Sequence, residues 1–267
     1  MRERPTNRLD REKCAGRALL ARVDKPFRET ILVRSRKELL YEPLRGIAAS
    51  LGLFLAAGLS MFVMEEFIGA IVPSPDHRIK SISEFGGFLT ATILGILLYK
   101  RHFASNRQIS SSGKRWWILA AALGGFAFFL SFLGLINFVE PSQQKYHLTQ
   151  SKQFAESAAA LSGFALALKM ATYNLTAPIL EEVIFRGIIF RSLQAGYGVT
   201  VAGTLSAALF ASTHLASNIE FIVPLAFCFG ATSAFLLHRS SRLAACVLFH
   251  SVYNILITAY TFWVASL

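Results

Sequence analysis

An all-α fold of about seven transmembrane helices is what this sequence predicts, and three observations predict it. Hydrophobic residues make up 54% of the 267-residue chain against 16% charged, a balance that soluble domains do not carry. Several apolar runs approach the ~20 residues that a helix needs to cross a bilayer. Lys and Arg, finally, are rich in every second connecting segment and sparse in the others, which is the pattern of a polytopic membrane protein. The net charge of +11 is therefore read as a topological signal. No recognition motif accompanies it, so nucleic acid is not an expected partner. Cys14, Cys228 and Cys246 are scattered and form no CxxC pair or disulfide framework.

Residues 1–46 carry 13 Lys/Arg against seven Asp/Glu and read as a basic cytoplasmic tail resting on anionic lipid. Residues 47–153 hold three amino-terminal spans. The first, 47–72, contains Glu65 and Glu66 close enough to its far end to reach the interface, and Pro73 and Pro75 break it. The second is short, 85–99, and the third is 116–139, anchored at the interface by Trp116 and Trp117. A polar loop is expected over 140–153.

Residues 154–267 form the unit of greatest interest. As one helix, 154–192 would be about 57 Å long, too much for a ~30 Å core. A break is expected around residues 173–178, leaving 154–173 at or beyond the outer surface. Gly196 and Gly198 mark a turn into 199–215, followed by spans 221–237 and 243–264. With the amino terminus inside, inner segments carry the 13 positives of the tail, five in 100–115, Arg191, and Arg239 with Arg242. Outer segments hold Arg78 and Lys80, then Lys145 and Lys152. Seven crossings keep this alternation. An eighth at 154–173 would put Arg191, Arg239 and Arg242 outside.

Polar residues inside these spans need a reason. A charge there costs at least ~2.5–3.5 kcal/mol on insertion scales. Glu181, Glu182 and Arg186 stand in one apolar run, and Glu182 and Arg186, four residues apart, share a helical face. Arg186 is expected to neutralise Glu182 and leave Glu181 facing something else. A buried ion network that only joins helices is the plainer alternative. His214 shares a face with Phe210, and His250 shares one with Asn254. Either histidine alone would read as an interhelical hydrogen-bonder. Counted along their helices at 1.5 Å per residue, Glu181, His214, His250 and Asn254 fall about 10–22 Å from the inner ends, near one mid-membrane level. Carboxylate, imidazoles and amide gathered there can activate a water and stabilise an oxyanion. Glu181, His214 and His250 are also of the ligand types that zinc accepts.

The three motifs, Glu181-Glu182-x-x-x-Arg186, Phe210-x-x-x-His214 and His250-x-x-x-Asn254, agree in type, spacing and order with the CPBP family of intramembrane proteases. That family takes in the CAAX-type prenyl-protein endopeptidases and the bacteriocin-processing or immunity proteins, and the resemblance covers about residues 158–263. It implies peptide-bond hydrolysis within the membrane, on a membrane-embedded or lipid-anchored protein or peptide. Glu181 would be the general base, with His214 polarising the water, and His250 and Asn254 steadying the oxyanion. Glu182, Arg186 and Phe210 would be structural support. Zinc is permitted, but HExxH is absent and Asn is an uncommon zinc ligand, so glutamate chemistry without a metal is preferred. Two other classes compete. One is a non-proteolytic scaffold or bacteriocin-immunity protein that keeps the motifs. The other is a proton-relaying transporter, which leaves the spacing unexplained and lacks an internal repeat.

Overall fold

The computed structural model describes residues 41, 44–49, 52, 77–103, 116–138, 141–161, 163–215, 219 and 221–267. Every regular element among the described residues is helical, and none is a strand. In chain order these are α1 (His77–Phe103), α2 (Trp116–Phe138), α3 (Pro141–Ala159), α4 (Gly163–Ala171), α5 (Ala177–Glu182), α6 (Arg191–Ser212), α7 (Ile222–Ser240) and α8 (Leu243–Ala265). Two π-helical stretches, Thr172–Thr176 and Val183–Phe190, join α4 to α5 and α5 to α6 without a break. Most of the expected first span, with Glu65 and Glu66, nearly all of the basic tail, and residues 104–115 lie outside the described residues.

Five helical runs are long and apolar enough to cross a membrane: Ser81–Arg101, Trp116–Phe138, Gly163–Ser212, Ile222–Ser240 and Leu243–Ala265. The chain is an all-α polytopic membrane protein. On α2 the two faces separate as lipid exposure requires. Leu119, Leu123, Phe126 and Leu130 are exposed at three- to four-residue spacing, while Ala121, Gly125, Phe132 and Ile136 are buried.

The 50-residue run is two limbs. Gly198, at φ 81° and ψ 176°, leaves helical geometry in a conformation open to glycine. The limbs then lie side by side, since the Ser206 hydroxyl donates to the Phe185 carbonyl at 2.7 Å, 21 residues away in sequence. This is the turn expected at Gly196 and Gly198.

Lipid supplies no hydrophobic force between helices, so close packing of small residues must hold them together. The α6–α7 crossing does this with Gly203 against Ala234 and Ala207 against Gly230. A Cβ at Gly230 would lie 3.0 Å from the Ala207 Cα, so a larger residue would push the helices apart. The centre of the assembly is the stretch Val183–Phe190, every residue of which is buried.

Three expectations need correction. Residues 140–153 were expected as a loop, but from Pro141 they are helical and belong to α3, which packs along α8. The break before the glutamates falls after Ala159, at residues 160–161, instead of 173–178. At 173–178 the chain stays helical by widening into a π turn. Residues 163–173 therefore continue into the glutamate helix and make no separate crossing. The second span is also longer than 85–99, because the helix extends to His77 and Phe103 with polar residues at both ends.

Pro178 accounts for the π turn. Its ring crowds the carbonyl four residues back, on Asn174, and it has no N–H to give. Adding one residue to the turn relieves that crowding. The Ala177 N–H bonds the Thr172 carbonyl, five residues back. The Tyr173 carbonyl thereby loses its α-helical donor, and its π-helical donor would be Pro178, which has none. A partner from another helix must satisfy it.

Candidate active site

Glu181 and Glu182 are sequence neighbours with opposite surroundings. The Glu182 side chain is 0% exposed and fully engaged. Ser233 donates its hydroxyl to Oε2 at 2.8 Å, Arg186 Nε stands 3.2 Å from the same oxygen, and His250 Nδ1 lies 2.9 Å from Oε1. The predicted Glu182–Arg186 pair is present, and the i,i+4 spacing produces it. Arg186 is likewise 0% exposed. Its Nη atoms have no hydrogen-bond partner among the described residues, and the guanidinium carbon sits 4.6 Å from the Phe210 ring centre. Phe210 thus covers the buried cation.

Glu181 is different. Its side chain is 31% exposed, and His250 Nε2 approaches its Oε2 at 3.7 Å, beyond direct hydrogen-bond reach. The imidazole of His250 therefore stands between the two carboxylates. Because a carboxylate only accepts, the proton of the Glu182–His250 bond is on Nδ1, and Nε2 is the atom turned to Glu181.

The expected residues come together. Glu181, His214, His250 and Asn254 all line one cavity of about 150 Å³, whose remaining wall includes Phe210, Phe229 and Tyr253. His214 sits in the turn just past the end of α6, a turn earlier than the expected span end at 215. Its Nδ1 lies 3.2 Å from the Phe210 carbonyl, which only accepts, so Nδ1 carries a hydrogen and the lone pair of the neutral ring is on Nε2. The Phe210 ring stands 5.0 Å from that of His214 and 5.9 Å from that of His250.

Asn254 has a duty that the sequence did not reveal. Its Nδ2 donates to the Tyr173 carbonyl at 2.9 Å, the acceptor released by Pro178 and the π turn. Thr258, four residues on, donates to Asn174 Oδ1 at 3.1 Å. Together they lash α8 to the helix that carries the glutamates. Ser233 was also missed; one serine in an apolar helix carries no signal that it will meet a carboxylate 51 residues away.

Among the described residues, no group of three or more His, Cys, Asp or Glu side chains is arranged to hold a metal ion. Glu181, His214 and His250 share a cavity, and the Nδ1 of His250 is bonded to Glu182.

Residues 163–256 match the family model described as type II CAAX prenyl endopeptidase Rce1-like. No curated protein and no solved structure matches the chain. The matched region, roughly a third of the chain, contains all three motifs, and over it the resemblance to CPBP-type intramembrane proteases holds. The match supports intramembrane protease activity in general.

Proposed function

We propose that this protein is an intramembrane endopeptidase that hydrolyses a peptide bond of a membrane-embedded or lipid-anchored substrate with Glu181 as general base. The observation that carries the proposal is the division between the two glutamates. Glu182 has both oxygens bound and no exposure, whereas Glu181 opens on the cavity shared with His214 and His250. Only Glu181 is free to take a proton.

In this reading a water held near Glu181 accepts a hydrogen bond from no catalyst. It donates one to the carboxylate and one to the lone pair on His214 Nε2. Glu181 takes its proton as the oxygen adds to the scissile carbonyl. The oxyanion is met by the second amide hydrogen of Asn254, the first being given to Tyr173, and by the Nε2–H of His250 when its ring carries both protons. Glu181 then returns the proton to the leaving nitrogen as the C–N bond breaks. Glu182 acts through His250, holding its ring by Nδ1. Chemistry without a metal is the reading preferred here, because HExxH is absent from the sequence. The substrate is defined here only as a peptide at the membrane, with no commitment to a prenyl group.

The test is reconstitution of purified protein in liposomes with a pool of lipid-anchored peptides, cleavage being read by mass spectrometry. Glu181→Gln and His214→Ala should each abolish cleavage while leaving the folded protein in the membrane. Reversible loss of activity on chelation, restored with stoichiometric zinc, would replace the glutamate-only mechanism. A cellular phenotype that survives Glu181→Gln would favour the scaffold or immunity reading.

A further inference from the structure

Helices α2 and α7 both pack on α8 and leave between them a groove of about 480 Å³, within the range of cavities that hold ligands. It shares no lining residue with the catalytic cavity. Trp116 and Gly124 line it from α2, Thr232, Phe235 and Arg239 from α7, and Phe249 of α8 stands beside Gly124. Trp116 is the first residue of α2, and Arg239 stands in the last turn of α7, so both mark the same end of the groove. From Trp116 to Gly124 the groove follows its helices for about 12 Å at 1.5 Å per residue. Half of a ~30 Å hydrocarbon core is about 15 Å, so the groove is nearly one leaflet deep. Phe235 and Trp116, 62% and 47% exposed, open it to the lipid side.

Its lining is mostly apolar and carries a single charge, Arg239. That side chain is exposed and has no ion pair, hydrogen bond or ring contact among the described residues. Arg242, three residues on, is engaged, with its guanidinium 5.6 Å from the Trp117 ring centre. No Asp or Glu occurs in residues 116–139 or 221–267, so α2, α7 and α8 offer Arg239 no counter-ion of their own. An apolar channel one leaflet deep with an unpaired cation at its helix-end mouth complements an amphiphile: an apolar chain below and an anion above. The planar guanidinium fork matches phosphate oxygens in particular.

We infer that this groove binds an anionic phospholipid, with one acyl chain between α2 and α7 and the phosphate on Arg239. A zwitterionic lipid offers the same chain and phosphate, but its headgroup brings a cation that Arg239 repels. A soluble anion lacks the chain and gains only a surface contact that salt screens. The seated chain supplies the dispersion contacts that α2 and α7 do not make with each other along the groove. A ligand that binds only the folded protein stabilises it by mass action, so the lipid acts as a structural component of the helix assembly. The inference stands apart from the peptidase reading, since the two sites have no residue in common.

The probe is phosphatidylglycerol with a photoactivatable diazirine on one acyl chain, diluted into phosphatidylcholine nanodiscs that hold the purified full-length protein. After photolysis the adducts are mapped by mass spectrometry. They should concentrate on residues 116–124 and 232–239, and unlabelled phosphatidylglycerol should displace them where phosphatidylcholine does not. Arg239→Gln, at an exposed position, should lower the yield at sub-saturating probe about five- to tenfold, the effect of losing one cation from an anionic headgroup. Arg239→Lys should restore part of it. Thr232→Trp keeps the cation and fills the groove from a half-buried position, and should remove the adducts. Phosphatidylglycerol should also raise the thermal midpoint of the wild type in detergent more than that of Arg239→Gln. Glu181→Gln protein should label like the wild type, so a failed peptidase reading leaves this test intact. Equal labelling by a phosphatidylcholine diazirine, adducts spread over all lipid-facing helices, or a yield indifferent to Arg239→Gln would overturn the inference. An unlabelled groove would show that protein covers it, and would overturn it too.

Discussion

Glu182 is the residue on which stability and function separate. It receives a hydroxyl, an imidazole N–H and a guanidinium at zero exposure. Removing its charge leaves Arg186 buried against Phe210 with nothing to balance it, and breaking a buried pair in this way costs about 3–5 kcal/mol. Glu182→Gln should therefore lower the yield and the thermal midpoint of the folded protein, measured by fluorescence-detected unfolding in detergent. A variant that is fully stable yet inactive would move Glu182 into the chemistry. Asn254 was expected to steady the oxyanion, and its bond to Tyr173 adds a structural part. Asn254→Ala should reduce turnover by on the order of 10²–10³ for a lost oxyanion donor. It should also lower stability by about 1–3 kcal/mol, because the Tyr173 carbonyl loses its partner. Unchanged thermal stability would mean that the bond to Tyr173 contributes nothing measurable.

The helix that carries both glutamates works because it is irregular. Pro178 forces the Thr172–Thr176 turn to widen, the widened turn frees a carbonyl, and Asn254 of α8 takes it. Helix interiors usually suffer from proline by ~3 kcal/mol. Here the disruption is used to fix one helix against another. Pro178→Ala restores an N–H that can bond within the helix and compete with Asn254 for the Tyr173 carbonyl. The protein should then fold at least as stably, while turnover falls as α8 loses its registration on the glutamates. Retained full turnover would show that the π turn does not position the site. The α6–α7 crossing serves the same end by different means. Small residues bring α7 close enough for Ser233 to reach Glu182.

At the scale of the whole molecule, the helices surround one buried stretch and place a polar cavity beside it. The orientation of that assembly in the membrane is a separate matter, for which the distribution of Lys and Arg supplies our proposal. His238, Arg239 and Arg242 end α7 and begin the tight turn to α8, where cations also complement the helix carboxyl end. Single cysteines introduced at Arg239 and near the amino terminus of a cysteine-free background should be labelled from the cytoplasmic side. A cysteine at Leu267 should react only from the opposite face. A cytoplasmic Leu267 would require an even number of crossings and overturn the proposed topology.

The all-helical membrane fold was legible in the sequence because hydropathy and charge act locally: each apolar run must satisfy its own backbone in lipid, whatever the others do. The Glu182–Arg186 pair was legible for the same reason, being one turn of one helix. The turn at Gly198 and the gathering of Glu181, His214, His250 and Asn254 were also readable, the first from glycine and the second from depth along straight helices. The helical state of 141–153 escaped, since a polar segment lying on α8 shows no apolar run long enough to announce it. The π turn escaped because Pro178 signals a disruption without saying whether the chain breaks or widens. Ser233 on Glu182, Glu182 on His250 and Asn254 on Tyr173 were decided by tertiary structure alone. Those bonds depend on which faces of separate helices meet, and on a carbonyl that becomes a free acceptor only once Pro178 has widened the helix into a π turn.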